Sequence, residues 1–252
     1  MAPAPEPSRR LGLLYPTRGC GEDDFVDLAR LLDPAIAVEF TYVPWGAEIG
    51  DLNDLDPAGR HAAVRELGAP EHLAASAKFD TEPGVVSWVC SSCSFTRGLA
   101  GAHEQARVLA ERLGIPAGST SLAFLAALDH LNIERVALAS VYHDDTTASF
   151  AGFLAEAGVS AVHSVSADVP SDRALAAWSG HRITELTIAA DHPDAEAVLV
   201  PETALHTTPL LEELEHRLGK PVLTATAVTV WNALRRLGTP PGHLRLGTLF
   251  RS

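Results

Sequence analysis

Two apolar patterns alternate along the chain. Short, nearly continuous apolar runs occur at Leu11 to Tyr15, Ala35 to Val43, Val85 to Val89, Arg135 to Ser140, Ser160 to Val165 and Ala197 to Val200. Runs of this length predict buried strands. Between them the apolar positions fall at helical spacing, as in Phe25, Leu28, Leu31 and Leu32. Helices are likewise predicted over Ala102 to Leu113, Phe150 to Ala157, Ala174 to Thr187 and Leu210 to Leu218. Glu22-Asp23-Asp24 suits the first turn of a helix, where negative charge meets the positive end of the helix dipole. Gly114, Gly158 and Gly219 suit helix C-termini. Asp51 to Leu73 is polar and mixed, and reads as loop and helix. Strands that alternate with helices predict an α/β fold with parallel sheets flanked by helices.

The pattern also repeats. Leu113-Gly114-Ile115-Pro116, small hydroxyl residues and a helix through Leu128 resemble Leu218-Gly219-Lys220-Pro221, small hydroxyl residues and a helix through Leu234. Each copy follows a strand, loop and helix unit. The loop of the first carries Cys90, and that of the second carries Glu202. Two pseudo-symmetric lobes are therefore expected, with a site in the cleft between them, where the carboxyl ends of parallel strands present ligand-binding loops. The expected N-terminal lobe comprises residues 1–118 plus 225–252, and the C-terminal lobe comprises residues 119–224. A simpler reading of the repeat is turn punctuation, for which Gly-x-Pro after a helix is common.

Composition narrows the partners. The chain has 252 residues, 46% of them apolar, and a formal charge of −13. This excess of acid leaves no basic face for nucleic acid or an anionic membrane. No uncharged apolar stretch reaches membrane-spanning length. Met1 to Arg10 is rich in Pro and Ala and lacks the apolar centre of a signal peptide, so it reads as a disordered head. Three cysteines do not make a disulfide framework, and the expected compartment is the cytoplasm.

The candidate chemistry centres on Val89-Cys90-Ser91-Ser92-Cys93-Ser94-Phe95. A thiol between a strand and a helix start faces backbone N–H groups, which favour the reactive thiolate. Cys90 is thus a candidate nucleophile or base. The alternatives are a buried structural cysteine, or a C-x-x-C pair for disulfide exchange or zinc. Cys93 reads as a small packing residue. Glu202 is a candidate acid/base if burial raises its pKa, the alternative being an exposed loop glutamate. Tyr142 is a candidate hydrogen-bond donor to substrate, with His143-Asp144-Asp145 as a solvated loop or cap. Arg18 could clamp a carboxylate bidentately, or pair with Glu22 or Asp23. His206 could tune Glu202. No metal site and no glycine-rich nucleotide loop are predicted.

The Cys90 stretch resembles the first catalytic loop of the aspartate/glutamate racemase superfamily, in the branch that holds maleate cis–trans isomerases and arylmalonate decarboxylases, where the pattern is Cys-Thr-Ser-x-Ser-Phe. Gly12-Leu13-Leu14-Tyr15-Pro16 resembles the branch's opening strand and substrate loop, which continues through Thr17 and Arg18. Tyr142 matches a substrate-binding tyrosine. Gly219-Lys220-Pro221-Val222 with Val230-Trp231-Asn232-Ala233-Leu234 resembles the closing segment. The resemblance implies two α/β lobes, no cofactor, a small carboxylate or dicarboxylate substrate and some tendency to form homo-oligomers. It implies Cys90 as a catalytic residue, with Ser91, Ser92, Tyr142 and Thr203 around the substrate; Glu202 as the opposing acid/base, and Thr17 and Arg18 at the substrate, complete the candidate site. The chain departs from the pattern in three places. Glu202 occupies the second cysteine's position. Thr17-Arg18-Gly19 stands where the isomerases have an asparagine. The decarboxylases lack the first cysteine, which this chain has. The expected activity is isomerisation or racemisation. The alternatives are decarboxylation of a malonate-like acid, or carboxylate binding without catalysis.

Overall fold

A computed structural model describes residues 8–46, 55–169, 171–239 and 241–251. It contains two four-stranded parallel sheets. The first is formed by β1 (Arg10–Tyr15), β2 (Ala37–Tyr42), β3 (Val85–Trp88) and β4 (Ala117–Ser119), in the order β2-β1-β3-β4. The second is formed by β5 (Arg135–Ser140), β6 (Ser160–Ser166), β7 (Ala197–Val200) and β8 (Val222–Thr224), in the order β6-β5-β7-β8. The second order is the first repeated one unit on. The central strands β3 and β7 are buried at every residue. Helices cover both faces of such a sheet, so these strands read as apolar runs without alternation.

The helices are α1 (Glu22–Leu32), α2 (Pro57–Leu67), α3 (Pro70–Ser76), α4 (Ser92–Phe95), α5 (Gly98–Leu113), α6 (Thr120–Leu131), α7 (Asp144–Glu156), α8 (Asp172–Ala176), α9 (Gly180–Ala189), α10 (Leu211–Leu218) and α11 (Ala225–Arg236). The repeated Gly-x-Pro segments adopt one geometry. Gly114 and Gly219 end α5 and α10 at φ of 71° and 66°, a left-handed cap that glycine adopts without a Cβ clash. Each is followed by a three-residue strand, β4 or β8. The side chains of Ser119 and Thr224 then accept N–H bonds from Leu122 and Ala227, capping α6 and α11. The two capped helices pack on each other, with the Thr120 and Thr229 hydroxyls 2.8 Å apart.

Several boundaries differ from expectation, each for a local reason. The loop expected at Tyr142 to Asp145 is already helical from Asp144, with two acidic residues in the first turn. The helix expected over Ala174 to Thr187 is two helices, because the backbone is extended at Ser179, whose side chain accepts the Arg182 N–H and caps α9. Asp51 to Leu73 contains α2, capped by Asp56, and α3, opened by Pro70; residues 51–54 lie outside the described residues. Of the expected disordered head, residues 1–7 also lie outside them. Arg9 pairs with Asp33, and Arg10 opens β1.

Asp24 does more than meet a helix dipole. Its carboxylate is buried and accepts the backbone N–H groups of Thr207 and Thr208, each at 3.0 Å, across the junction between the two sheet systems. Close by, Tyr15 Oη donates to the Thr203 carbonyl at 3.0 Å. A Cβ on Gly21 would meet that carbonyl at 2.3 Å, so only glycine permits this approach. Asp24→Ala would leave two buried N–H groups without acceptors. It should destabilise the fold by about 2–4 kcal/mol, read as a lower denaturant midpoint at an unchanged m-value.

Candidate active site

β3 ends at Trp88, and the chain turns through Val89-Cys90-Ser91 into α4. Val89 N–H is held by the Leu14 carbonyl at 2.8 Å, which fixes the turn against β1. Cys90 is 6% exposed. Its sulfur accepts the Cys93 N–H at 3.3 Å, and the Ser92 hydroxyl lies 3.7 Å away. The expected backbone donor is therefore present. Cys93 is not merely a packing residue, however, since its sulfur is bonded to that of Cys90. In this form Cys90 carries no thiol. The sequence shows the C-x-x-C spacing but not that the turn brings the two side chains together. Cys20 is free and buried, and burial first, then the nearby Asp172 and Glu22, push its thiol up to about 11.

The corresponding turn after β7 carries Pro201-Glu202-Thr203. Glu202 is 4% exposed, which discards the reading of an exposed loop glutamate. Its Oε1 accepts the Ala204 N–H at 2.7 Å. Burial, and next the charge of Asp172, push the carboxyl up from 4.5 to about 8, against the opposing hydrogen bonds from Ala204, Tyr142 and Thr203. Both effects favour the protonated carboxyl, the form a proton donor needs.

Tyr142 joins the two turns. Its hydroxyl donates to the Pro201 carbonyl at 2.6 Å and lies beside the Glu202 carboxyl and the Ser91 hydroxyl. Its ring meets Phe95 of α4 edge-on, at 5.8 Å between centroids. Burial, then the Glu202 and Asp172 charges, push the phenol well up, so it stays a donor. Ser91 is 2% exposed, and its buried hydroxyl lies against that of Tyr142. Thr203 presents its carbonyl to Tyr15, and its hydroxyl lies 3.5 Å from Glu202 Oε1.

Thr17 and Arg18 part company. The Thr17 hydroxyl donates at 2.7 Å to Asp172, the first residue of α8. Arg18 is exposed and stacks its guanidinium on Tyr42, 3.9 Å from the ring centroid, rather than pairing with Glu22 or Asp23. Glu22 instead accepts from the Gly19 and Cys20 N–H groups and the Tyr42 hydroxyl. His206 pairs with Asp23 at 2.7 Å and not with Glu202. Asp172 was invisible in the sequence, where Ser171-Asp172 looks like any helix start. Burial raises its carboxyl too, opposed by the Thr17 hydrogen bond and Arg173. Its charge bears on Tyr15, Cys20, Tyr142 and Glu202, which makes it a member of one cluster. Among the described residues no group of three His, Cys, Asp or Glu could hold a metal ion, and no helix is long and apolar enough to cross a membrane.

Two sheets of repeated strand order, each delivering the turn after its third strand to a shared junction, define a two-lobed α/β enzyme of the aspartate/glutamate racemase-like class. A sequence profile of the arylmalonate decarboxylase family matches residues 51–250, and the chain belongs to that family. It is 33% identical over 168 residues to arylmalonate decarboxylase of Bordetella bronchiseptica, covering 64% of this chain and 70% of that protein. It is 24% identical over 165 residues to maleate isomerase of Geobacillus stearothermophilus, covering 63% of this chain and 65% of that protein. Among solved structures, a mutant arylmalonate decarboxylase in liganded form superposes with a TM-score of 0.78 at 26% identity, covering 96% of this chain and 98% of that one. A mutant maleate cis–trans isomerase of Nocardia farcinica with a covalently bound succinylcysteine intermediate gives 0.80 at 22% identity, covering the same shares, a likeness of fold.

Proposed function

We propose that this chain is a cofactor-independent isomerase or racemase of a small carboxylate or dicarboxylate, with the reduced Cys90 as nucleophile or base and Glu202 as the opposing acid. The observation that carries this reading is the buried Glu202, its carboxyl pushed up by burial and by Asp172, in the turn that repeats the Cys90 turn. Cys90 as thiolate would add to an activated double bond or remove a proton next to the carboxylate. The negative charge then moves onto the carboxylate as an enediolate. The Ser91 and Tyr142 hydroxyls, which lie against each other, are the groups suited to receive it, Tyr142 by turning its O–H from the Pro201 carbonyl. Ser92 and Thr203 would complete the hydroxyl-lined wall. Glu202 would deliver its proton to carbon and recover it from the next substrate or from water. The nucleophile needs a reducing compartment, which suits a cytoplasmic protein.

A second reading, decarboxylation of a malonate-like acid, is favoured by the 33% identical decarboxylase. It requires only the donor side of the site: loss of CO2 would leave the same enediolate, and Glu202 would protonate it. The two readings separate in deuterated water. Maleate and phenylmalonate, with a panel of chiral small acids, would be followed by NMR under reducing conditions. Isomerisation, or α-deuteration without loss of carbon, supports the first reading, and deuterated monoacid with CO2 supports the second. A panel returned unchanged leaves a carboxylate-binding protein.

Asp172 fits the same scheme as the group that helps keep the proton on Glu202. The rate should fall as pH rises through about 8, where Glu202 ionises. Asp172→Asn removes the neighbouring charge that favours the protonated acid. It should move that fall to lower pH while leaving the rate at pH 6 within a few-fold. A pH–rate profile that stays in place would separate Asp172 from Glu202.

A further inference from the structure

We infer that Cys90 and Cys93 form a reversible redox site that closes the catalytic centre, with Cys93 as the resolving thiol that captures an oxidised Cys90. The gating half of this inference rests on the proposed role of Cys90 as nucleophile. Four observations carry it. The two sulfurs are joined, with Cα atoms 5.4 Å apart, inside the range that a disulfide spans without backbone movement. Cys90 is 6% exposed and Cys93 is fully buried, so an oxidant or reductant meets Cys90 first. Cys93 is held in place: its carbonyl accepts Gln105 Nε2 at 2.9 Å, and the same buried amide binds the Ser94 hydroxyl and the Gly68 carbonyl. The resolving sulfur therefore stays within reach of Cys90. Finally, the bond consumes the one side chain that the proposed mechanism needs as a thiolate, whereas Cys20 is free and buried.

The chemistry balances with a hydroperoxide as oxidant and a dithiol as reductant. The Cys90 thiolate attacks the peroxide oxygen, forming a sulfenic acid and releasing alcohol or water. The Cys93 thiol then attacks the Cys90 sulfur. The S–S bond forms, the S–O bond breaks and water leaves. Two thiols and ROOH become a disulfide, ROH and H2O, a two-electron oxidation of the protein. In the return step one sulfur of the dithiol attacks Cys90 and expels the Cys93 thiolate. The second sulfur then frees Cys90, and the reductant leaves as its own disulfide. The site is silent when oxidised and competent when reduced.

The test uses the full chain. It is treated with hydrogen peroxide, then with dithiothreitol, and alkylated with iodoacetamide under denaturing conditions at each stage. The three cysteines should show one adduct, at Cys20, after peroxide and three after dithiothreitol. Catalytic deuterium incorporation should vanish and return in step. In Cys93→Ser and Cys93→Ala, reduced activity should persist, but inactivation by peroxide should become irreversible, because unprotected Cys90 proceeds to sulfinic acid. Three free thiols after peroxide, or equally reversible inactivation in wild type and both variants, would overturn the inference. A Cys90→Ala protein as active as reduced wild type would remove the proposed mechanism while leaving the thiol count intact. An oxidised wild type of full activity beside an inactive Cys90→Ala would remove the gate alone.

Discussion

Replacing Glu202 with glutamine should lower turnover by about 10²–10⁴-fold, the usual worth of a positioned general acid. The amide keeps the shape and can still accept the Ala204 N–H, which wild-type Oε1 accepts at 2.7 Å. It has no proton to give to carbon at any pH. The loss should therefore lie in kcat, with KM changed little, and the fall in rate near pH 8 should disappear from whatever activity is left. Stability should move the other way. The folded state keeps a proton on Glu202 up to about 8, while an unfolded glutamate releases it near 4.5. Between those values the folded state binds more protons than the unfolded one, so this group's contribution to stability falls as pH rises. Glu202→Gln removes that slope. The variant should gain on wild type in thermal midpoint as pH is raised from 5 to 9, which identifies a site held against the fold's own preference.

Cys90→Ala divides the two proposed reactions. If Cys90 is the nucleophile or base, isomerisation and racemisation should fall by at least about 10³-fold, equivalent to about 4 kcal/mol of barrier. Decarboxylation draws only on proton delivery from Glu202 and should survive within about tenfold. Both rates are measured with dithiothreitol present, so that wild type is compared as the thiol. Loss of both reactions would place Cys90 in the support of the enediolate itself.

Much of the fold is legible because burial leaves a local trace. Ala197 to Val200 reads as a strand because every residue on it faces apolar neighbours, and the structure buries all four. The repeat is legible for the same reason: Gly114 and Gly219 end helices in a conformation that favours glycine. Counting back from the second one gives the turn that carries Glu202. The features that escaped are those fixed by a distant partner. Asp172 acquires its place from Thr17, 155 positions away, and nothing in its own neighbourhood marks it. Asp24 has the local look of a helix-dipole residue, yet its acceptors serve Thr207 and Thr208. Arg18 has the chemistry of a carboxylate clamp, but Tyr42 holds it. Cys93 shows its spacing in the sequence and its bond only in the folded turn.

The central claim is that Glu202 holds a proton at neutral pH, ready for transfer to carbon. Titrating its side-chain carboxyl by ¹³C NMR, in reduced protein labelled at glutamate and assigned against Glu202→Gln, measures this directly. The carboxyl should be protonated at pH 7 with a midpoint near 8, moving to lower pH in Asp172→Asn. A Glu202 carboxyl already ionised at pH 6 would contradict the account, because the site would then have no proton to deliver from that side.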